Sequence, residues 1–375
     1  MFRELRLRRV RSAPTQGCKM KRLACLLLLL TMLMLAQSAN AAPSTVGVNA
    51  VGLDDFFDQV EKSNSGIGSL SIFRNGQEIY NRSFGQKHLR PTAHDADTRY
   101  QIASVTKMVT AILAFKLIEE GRLSLDDHLS DFFPDMPAAQ QITVGHLLAH
   151  SSGLGNFAIK DGAVWVLDEV SQAQILEEIR RQGVAFEPGA RVAYSNSAYL
   201  LLRMILEQRY GTDYPHIVEQ QIAQPLGLRH FAAAASHTAN AFKSYVYAGQ
   251  WNEIKDIAYA NVIGVGDIAS TTRDLNVLIN ALFHNQLLRR ETVEQMTPAA
   301  GAGWGKGLAE FPFGERRFLG HGGDALGSHS RVIYNPADGL AIAYATNGER
   351  IPTSDFLQTI VGIAYGGRFT LPAMK

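Results

Sequence analysis

Three short groups of residues in this 375-residue chain carry side chains suited to nucleophilic attack on a carbonyl carbon. The first group is Ser104 and Lys107, whose spacing of nearly one helical turn places both side chains on one helix face. A neutral lysine there accepts the proton of the serine hydroxyl, whereas a charged lysine stabilises the alkoxide. A helix start also offers free N–H groups and a positive partial charge to an oxyanion. The pattern therefore indicates a nucleophilic serine.

The second group is Tyr194 and Asn196, just before an apolar stretch with helical spacing. A tyrosine beside a cationic lysine is predicted to have a lowered pKa and to act as a general base. The amide of Asn196 can hold a substrate carbonyl and Lys107 together. The competing interpretation is a buried aromatic ring and a helix-capping asparagine.

The third group is His321-Gly322-Gly323, followed by Asp324, in a predicted strand. The two glycines allow a substrate backbone to lie close against the strand edge. The backbone N–H of Asp324 can then act as the second oxyanion donor. Alone, this group would indicate only a strand end or a bulge.

The elements that must position these groups are predicted as strands at both ends of the chain and helices between them. Asn75-Gly76 between apolar segments predicts a β-hairpin, and strands are also expected around His321 and on both sides of residues 335–339. This order predicts an α+β fold whose sheet is built from both termini. One helix is predicted around Phe56. Five others are predicted from Ser104 to about Glu120, Thr143 to His150, Ser171 to Gln182, Ser197 to Tyr210 and Thr271 to about Phe283.

The composition separates an export signal from the remainder of the chain. Lys+Arg total 36 against 35 Asp+Glu, and 46% of the residues are hydrophobic, which suits one sizeable core and excludes a disordered chain. Residues 1–41 hold eight of the basic residues, an apolar stretch from Leu23 to Leu35 and the small residues Ala39 and Ala41, as is typical of a secretory signal. We expect cleavage after Ala41, a secreted or periplasmic location and a mature net charge of −6. The alternative is an uncleaved membrane anchor.

Both cysteines, Cys18 and Cys25, leave with the predicted signal. Their loss excludes thiol catalysis, disulfides and cysteine-ligated metal in the mature chain. The near-neutral total charge gives no support to nucleic-acid binding. We therefore expect no nucleic-acid partner and no stable membrane span after cleavage.

Together and in this order, the three groups are similar to the Ser-x-x-Lys, Tyr-x-Asn and Lys/His-x-Gly series of β-lactamases and penicillin-binding proteins. The chain resembles this superfamily from about residue 50 to 350, and in particular the branch of class C β-lactamases, serine DD-peptidases and related esterases. The resemblance implies a β-lactamase/transpeptidase-like fold, an antiparallel sheet flanked by helices plus an all-helical subdomain. The α/β lobe is expected at about 45–125 and 260–375, and the helical lobe at about 126–260.

The resemblance also implies roles for the residues of the three groups. Ser104 would be the nucleophile, Lys107 its activating partner and Tyr194 the carrier of protons to the leaving group. Asn196 would hold the acyl side chain, and His321, Gly322 and Gly323 would stand in the third-motif position. The backbone N–H groups of Ser104 and Asp324 would form the oxyanion hole, and no metal or organic cofactor is implied.

The implied activity is cleavage of an amide or ester through an acyl-enzyme. The candidate substrates are a peptidoglycan stem peptide, a small ester and a D-amino-acid amide. The alternatives are a β-lactamase and a penicillin- or cell-wall-binding module with little turnover. The third group departs from the family, since Gly322 lacks the usual hydroxyl and Asp324 adds a negative charge. We therefore expect Asp324 to repel anionic substrates and favour an ester or amide without a free carboxylate.

Other candidate residues have simpler interpretations. His146 and His150 are four residues apart and suggest a zinc pair, but no Glu follows His146 directly and no third ligand is evident. We expect ordinary histidines at a helix end. Trp304 is expected in core or rim packing, and residues 303–307 are expected to form a glycine-rich strand rather than a phosphate loop.

Overall fold

The computed structural model describes residues 47–89, 98–233 and 243–375. Residues from Gly47 to Lys375 belong to one compact unit, and the finer division into two lobes stays a prediction. The expected export signal and both cysteines lie outside the described residues. Within the described ranges, no helix has both the length and the apolar character needed to cross a membrane.

The main sheet combines strands from both ends of the chain. Its strands are β1 (Gly66–Arg74), β2 (Gln77–Phe84), β10 (Ala309–Phe313), β11 (Arg316–Ala325), β12 (Ser328–Asn335) and β13 (Leu340–Glu349). Their order is β10-β11-β12-β13-β1-β2, and each neighbouring pair is antiparallel. The N-terminal hairpin turns at Asn75 and Gly76, both with positive φ, as an Asn-Gly turn requires. The prediction of an α+β fold with a sheet built from both termini is confirmed.

Among the described residues, short strands form three smaller sheets. These strands are β3 (Tyr100–Gln101), β4 (Ile159–Lys160), β5 (Ala163–Val164), β6 (Ala232–Ala233), β7 (Tyr245–Tyr247), β8 (Trp251–Glu253) and β9 (Ile268–Ser270). β9 lies between β3 and β6, while β4 pairs with β5 and β7 with β8. Trp304 makes a single bridge to Ala309, so the predicted glycine-rich strand at residues 303–307 is wrong.

Along the chain, most of the helices fall between β2 and β10. The α-helices are α1 (Ala50–Lys62), α2 (Thr106–Glu119), α3 (Val144–Leu148), α4 (Gln172–Gln182), α5 (Asn196–Tyr210), α6 (Tyr214–Val218), α7 (Gln224–Leu226), α8 (Thr272–Phe283), α9 (Arg290–Met296) and α10 (Thr353–Ala364). Thr143, Ser171 and Thr271 cap α3, α4 and α8, since each hydroxyl accepts a hydrogen bond from a free N–H of the first turn. These three helix starts are confirmed.

Two other helix starts and one helix end differ from the prediction. A 3₁₀ turn at Ala103–Val105 precedes α2, so Ser104 lies just outside the α-helix. Ser195 caps α5 by accepting from the N–H of Ala198 at 3.2 Å, and α5 therefore starts at Asn196 rather than Ser197. α3 ends at Leu148, and His150 has a φ of +55° beyond that end.

The sheet is covered on both faces by apolar helix surfaces. On one face, α1 and α10 pack against strands through buried phenylalanines, with the rings of Phe57 and Phe84 stacked at 4.6 Å. On the other face, α8 and α2 pack against Val332 and Ala343. α2 is buried around almost its whole circumference, which explains why it is apolar on every side. This central position fixes the residues at its N-terminus.

Candidate active site

Ser104 stands where two other side chains of the predicted site converge. Its Oγ is 3.0 Å from Lys107 Nζ, which donates to it, and the hydroxyl of Tyr194 donates to it at 2.7 Å. The 3₁₀ turn and the first turn of α2 bring Ser104 and Lys107 to one side, as their spacing predicts. The structure thus joins residues that are 90 positions apart in the chain.

Lys107 is completely buried, and its amine also donates to the carbonyl oxygen of Val265 at 2.8 Å. Burial holds the pKa of Lys107 well below its ordinary value, because a charged ammonium loses its hydration there. The negative charge of Asp267 opposes this shift without cancelling it. The environment therefore favours the neutral amine, one of the two alternatives left open by the sequence.

Tyr194 corrects the expectation of a lowered pKa. The protein atoms around the hydroxyl raise the pKa of Tyr194, and the hydrogen bond with Ser104 offsets this only in part. The residue is still 38% exposed, so the ring is open to the cleft while the hydroxyl is held beside Ser104. Burial therefore disfavours the phenolate, and the Tyr194 hydroxyl is a donor to Ser104 in the resting site.

His150 packs behind the tyrosine. Its ring lies 4.5 Å from the ring of Tyr194 at an angle of 32° and 4.8 Å from that of Tyr199. The N–H of Ser195 donates to His150 Nδ1 at 3.2 Å. Burial holds the pKa of His150 well below its ordinary value, because a charged imidazolium would lose its hydration there. His150 is therefore a neutral support for Tyr194, whereas the sequence placed it at a helix end with a zinc pair as the alternative.

His321 is a neutral ring within the sheet. It is fully buried, and its Nδ1–H donates to the carbonyl oxygen of Gly322 at 2.6 Å. Burial is the main cause that lowers the pKa of His321 to about 3. The third group therefore contributes no positive charge to the site at neutral pH.

Gly323 brings β11 against Ser104. A Cβ atom at Gly323 would lie 2.1 Å from the carbonyl oxygen of Ile102 and 2.9 Å from the backbone nitrogen of Ser104. Only a glycine permits this approach. The pairing of β10 with β11 ends at Gly320, so the following residues of β11 present a strand edge beside Ser104.

Asn196 is the first residue of α5 and lines the same cleft as Ser104. Its side-chain amide donates to Asn156 Oδ1 at 3.0 Å. Asn196 is therefore not the cap of α5, because Ser195 provides that cap. The capping interpretation of the sequence is wrong for this residue.

Asp324 lies beside Arg331 of β12, which the sequence analysis did not identify. The two side chains form a two-point ion pair with N···O distances of 3.1 Å, and His329 Nδ1 is 2.7 Å from the same carboxylate. Burial raises the pKa of Asp324, but the bonds to His329 and Arg331 outweigh this and hold the pKa below its ordinary value. Asp324 is therefore charged, but its charge is paired.

These residues surround an open cleft of about 470 Å³. Trp304 and Glu310 also line it, and the Trp304 ring lies 5.4 Å from the rings of His150, Tyr194 and His321. Trp304 is thus a rim residue, one of the two placements expected. Glu310 and Arg331 were missed because neither belongs to a recognisable short motif.

Comparisons with known proteins identify the family. A family model described as Beta-lactamase matches residues 53–361, and the chain belongs to this family. It is 26% identical over 264 residues to a penicillin-binding protein of Bacillus subtilis (strain 168), covering 64% of this chain and 58% of that protein. It is 31% identical over 217 residues to esterase EstB of Burkholderia gladioli, covering 51% of this chain and 54% of EstB. The chain thus spans less than two thirds of the length of these two relatives.

A solved structure shows the same fold over nearly its whole length. The D-amino acid amidase from Ochrobactrum anthropi SV3, complexed with L-phenylalanine, superposes with a TM-score of 0.74 at 25% identity, covering 83% of this chain and 98% of the amidase. This similarity confirms the predicted β-lactamase/transpeptidase-like fold. Together, the family model and this structure assign the chain to the Beta-lactamase family and to the fold of that amidase.

Proposed function

We propose that the protein cleaves an amide or ester bond through an acyl-enzyme on Ser104. The observation that carries the proposal is the position of Ser104 Oγ, within hydrogen-bond distance of both the buried Lys107 amine and the Tyr194 hydroxyl. A serine hydroxyl needs a partner that removes its proton before it can attack a carbonyl carbon. The neutral lysine is the group here that can accept that proton.

In acylation, Ser104 Oγ forms a bond to the carbonyl carbon while its proton passes to the lone pair of Lys107 Nζ. Lys107 becomes an ammonium, and the carbonyl oxygen becomes an oxyanion. The carbonyl of Val265 and the charge of Asp267 stabilise the ammonium during this step. A base that is neutral at rest and charged in the transition state lowers the barrier to attack.

The oxyanion is assigned to the backbone N–H groups of Ser104 and Asp324. Ser104 lies in the turn that starts α2, where N–H groups are free of helical partners. Asp324 follows Gly323, whose close approach holds β11 against the nucleophile. Each such donor is worth about 3–4 kcal/mol of transition-state stabilisation.

Collapse of the tetrahedral intermediate breaks the bond to the leaving group. Tyr194 gives its proton to the departing nitrogen or oxygen and recovers one from the Lys107 ammonium, so that both groups return to their resting states. Water then attacks the acyl-enzyme carbonyl and gives a proton to the same pair of residues. These return the proton to Ser104 Oγ as its bond to the acyl carbon breaks, so that the acid leaves and the resting serine is restored. Asn196 is assigned to hold the acyl side chain, since its amide lines the cleft.

The relatives supply the candidate substrates. Esterase EstB and the D-amino acid amidase suggest small esters and D-amino-acid amides, and the penicillin-binding protein suggests a cell-wall peptide. Export through the predicted signal would bring the enzyme to such peptides outside the cytoplasm.

Mass spectrometry and kinetics test the acyl-enzyme together. Wild type should hydrolyse p-nitrophenyl acetate with a transient acetyl adduct on the peptide that contains Ser104. Ser104→Ala should lose both the adduct and the activity, whereas Ser354→Ala, an exposed serine on α10, should retain both. Full esterase activity in Ser104→Ala would overturn the proposal. Incubation with penicillin and nitrocefin separates the alternatives, because a persistent adduct indicates a binder and rapid turnover indicates a β-lactamase.

A further inference from the structure

We propose that the ion pair of Asp324 and Arg331 determines which substrates the cleft accepts. The carboxylate of the pair faces the substrate, whereas the guanidinium is occupied by other hydrogen bonds. The enzyme therefore selects esters and amides without a carboxylate near the scissile bond. This inference rests on the proposed hydrolysis at Ser104. The sequence alone predicted that Asp324 repels anionic substrates. The inference assigns this selection to Asp324 and Arg331 together.

Arg331 is the natural candidate to attract a substrate carboxylate. Among the described residues that line the cleft, it is the one with a permanent positive charge. Lys107 and His321 are buried, and their burial favours the uncharged forms. A negatively charged substrate therefore has Arg331 as its possible anchor.

The hydrogen bonds of Arg331 leave little of the guanidinium for a substrate. One terminal nitrogen donates to the carbonyl oxygens of Gly323 at 3.0 Å and Ser330 at 2.7 Å, and to Asp324 Oδ1 at 3.1 Å. The other terminal nitrogen donates to Asp324 Oδ2 at 3.1 Å. The guanidinium thus bonds to its own sheet and to one carboxylate.

The exposure of the two partners shows which one a substrate meets. The Asp324 side chain is 56% exposed, whereas that of Arg331 is 15% exposed. An incoming carboxylate therefore meets the oxygens of Asp324 before the nitrogens of Arg331. The charge of the pair is cancelled overall, but its accessible side is negative.

Gly322 is what allows Arg331 to lie in this position. A Cβ atom at Gly322 would be 3.0 Å from both Cδ and Nε of Arg331 and 3.1 Å from Cζ. The arginine side chain therefore occupies the space that any side chain at Gly322 would need. Gly322 lacks the side chain that carries the family's hydroxyl, and this leaves room for Arg331 in the ion pair.

The test compares two esters with the same acetyl group, phenyl acetate and 3-acetoxybenzoate, which differ by a carboxylate on the leaving group. Both form the same acyl-enzyme, so the ratio of their kcat/KM values reports acylation alone. Wild type should prefer phenyl acetate. Asp324→Asn keeps the shape and removes the charge, and should raise the ratio of 3-acetoxybenzoate to phenyl acetate about tenfold, as expected for one unit charge at about 6 Å in a partly solvated cleft.

Three further variants sharpen the result. Arg331→Met should lower the ratio, and the double variant should lie between the two single ones because neither charge remains. Asp58→Asn removes the carboxylate of another Asp–Arg pair, on α1 at the opposite face of the sheet, and should leave the ratio unchanged. Asp324→Ser repeats the main test if Asp324→Asn does not fold.

The outcomes distinguish the two proposals. Wild type that hydrolyses 3-acetoxybenzoate as efficiently as phenyl acetate overturns the inference without any variant. So does a ratio within twofold of wild type in the folded Asp324 variants while phenyl acetate is still hydrolysed. If wild type cleaves neither ester through Ser104, the proposed function fails, and the inference fails with it.

Discussion

Replacing Lys107 by methionine should change how the stability of the protein depends on pH. Lys107 is fully buried and its pKa is held well below the ordinary value, so the unfolded chain binds a proton there that the folded protein does not. A base whose pKa is lower in the folded protein than in the unfolded chain destabilises the protein as pH falls. The free energy of unfolding therefore rises with pH up to the ordinary pKa of the base. The slope for one proton is about 1.4 kcal/mol per pH unit. Between pH 7.5 and 9.5 wild type should therefore gain stability relative to Lys107→Met, up to the one-proton limit of about 2.7 kcal/mol.

Urea unfolding at pH 7.5, 8.5 and 9.5 and constant ionic strength measures this difference. Methionine has a similar length, and the unpaired carbonyl of Val265 costs about 1–3 kcal/mol at every pH, so the slope is more informative than any single value. Lys116→Met, at a partly exposed position of α2, should keep the wild-type slope. Parallel curves for wild type and Lys107→Met would show that Lys107 remains protonated in the folded protein, and its assignment as the general base would be wrong.

Two further substitutions test the assigned roles. Tyr194→Phe removes the donor to Ser104 and should lower kcat/KM for an amide about 10²–10⁴-fold, but much less for p-nitrophenyl acetate, whose leaving group needs no proton. Equal losses on both substrates would exclude proton delivery by Tyr194. Gly323→Ala places a methyl group 2.9 Å from the Ser104 nitrogen and should lower kcat/KM about 100-fold or more. Gly362→Ala on α10, where a Cβ meets no atom within 4 Å, is its control and should leave kcat/KM unchanged.

The sequence was informative about the positions where a short motif meets a simple element. Ser104 and Lys107 are three residues apart, and this spacing alone places them together. The hairpin at Asn75-Gly76 and the caps Thr143 and Ser171 follow from local backbone preferences. Local rules of this kind need no knowledge of the remaining chain, which is why they could be applied correctly.

The protonation states of the site residues could not be predicted from local sequence patterns. The pKa of Tyr194 was expected to be lowered because Lys107 was treated as a cation, yet burial raises the pKa of Tyr194 and favours the neutral form of Lys107. Burial is a property of the assembled core, and no spacing in the sequence reports it. Arg331 was missed for a related reason, since only the register of β11 and β12, which pairs Gly322 with Arg331, places its side chain in the cleft.

The distribution of charge explains how one cleft can serve an acid and a base without fixed charges at its centre. Lys107, His150 and His321 lie close to the nucleophile and are all held toward their neutral forms, so the proton of Ser104 is the mobile charge of the site. Tyr194 keeps its own proton because burial raises the pKa of its hydroxyl. Among the described residues, the charged side chains that line the cleft are Glu310, Asp324 and Arg331, and each has an ion-pair partner. We propose that the pair of Asp324 and Arg331 is the one that acts on the substrate. In the proposed mechanism, burial therefore sets the protonation states of the reacting groups, and the pair of Asp324 and Arg331 selects the substrates that reach them.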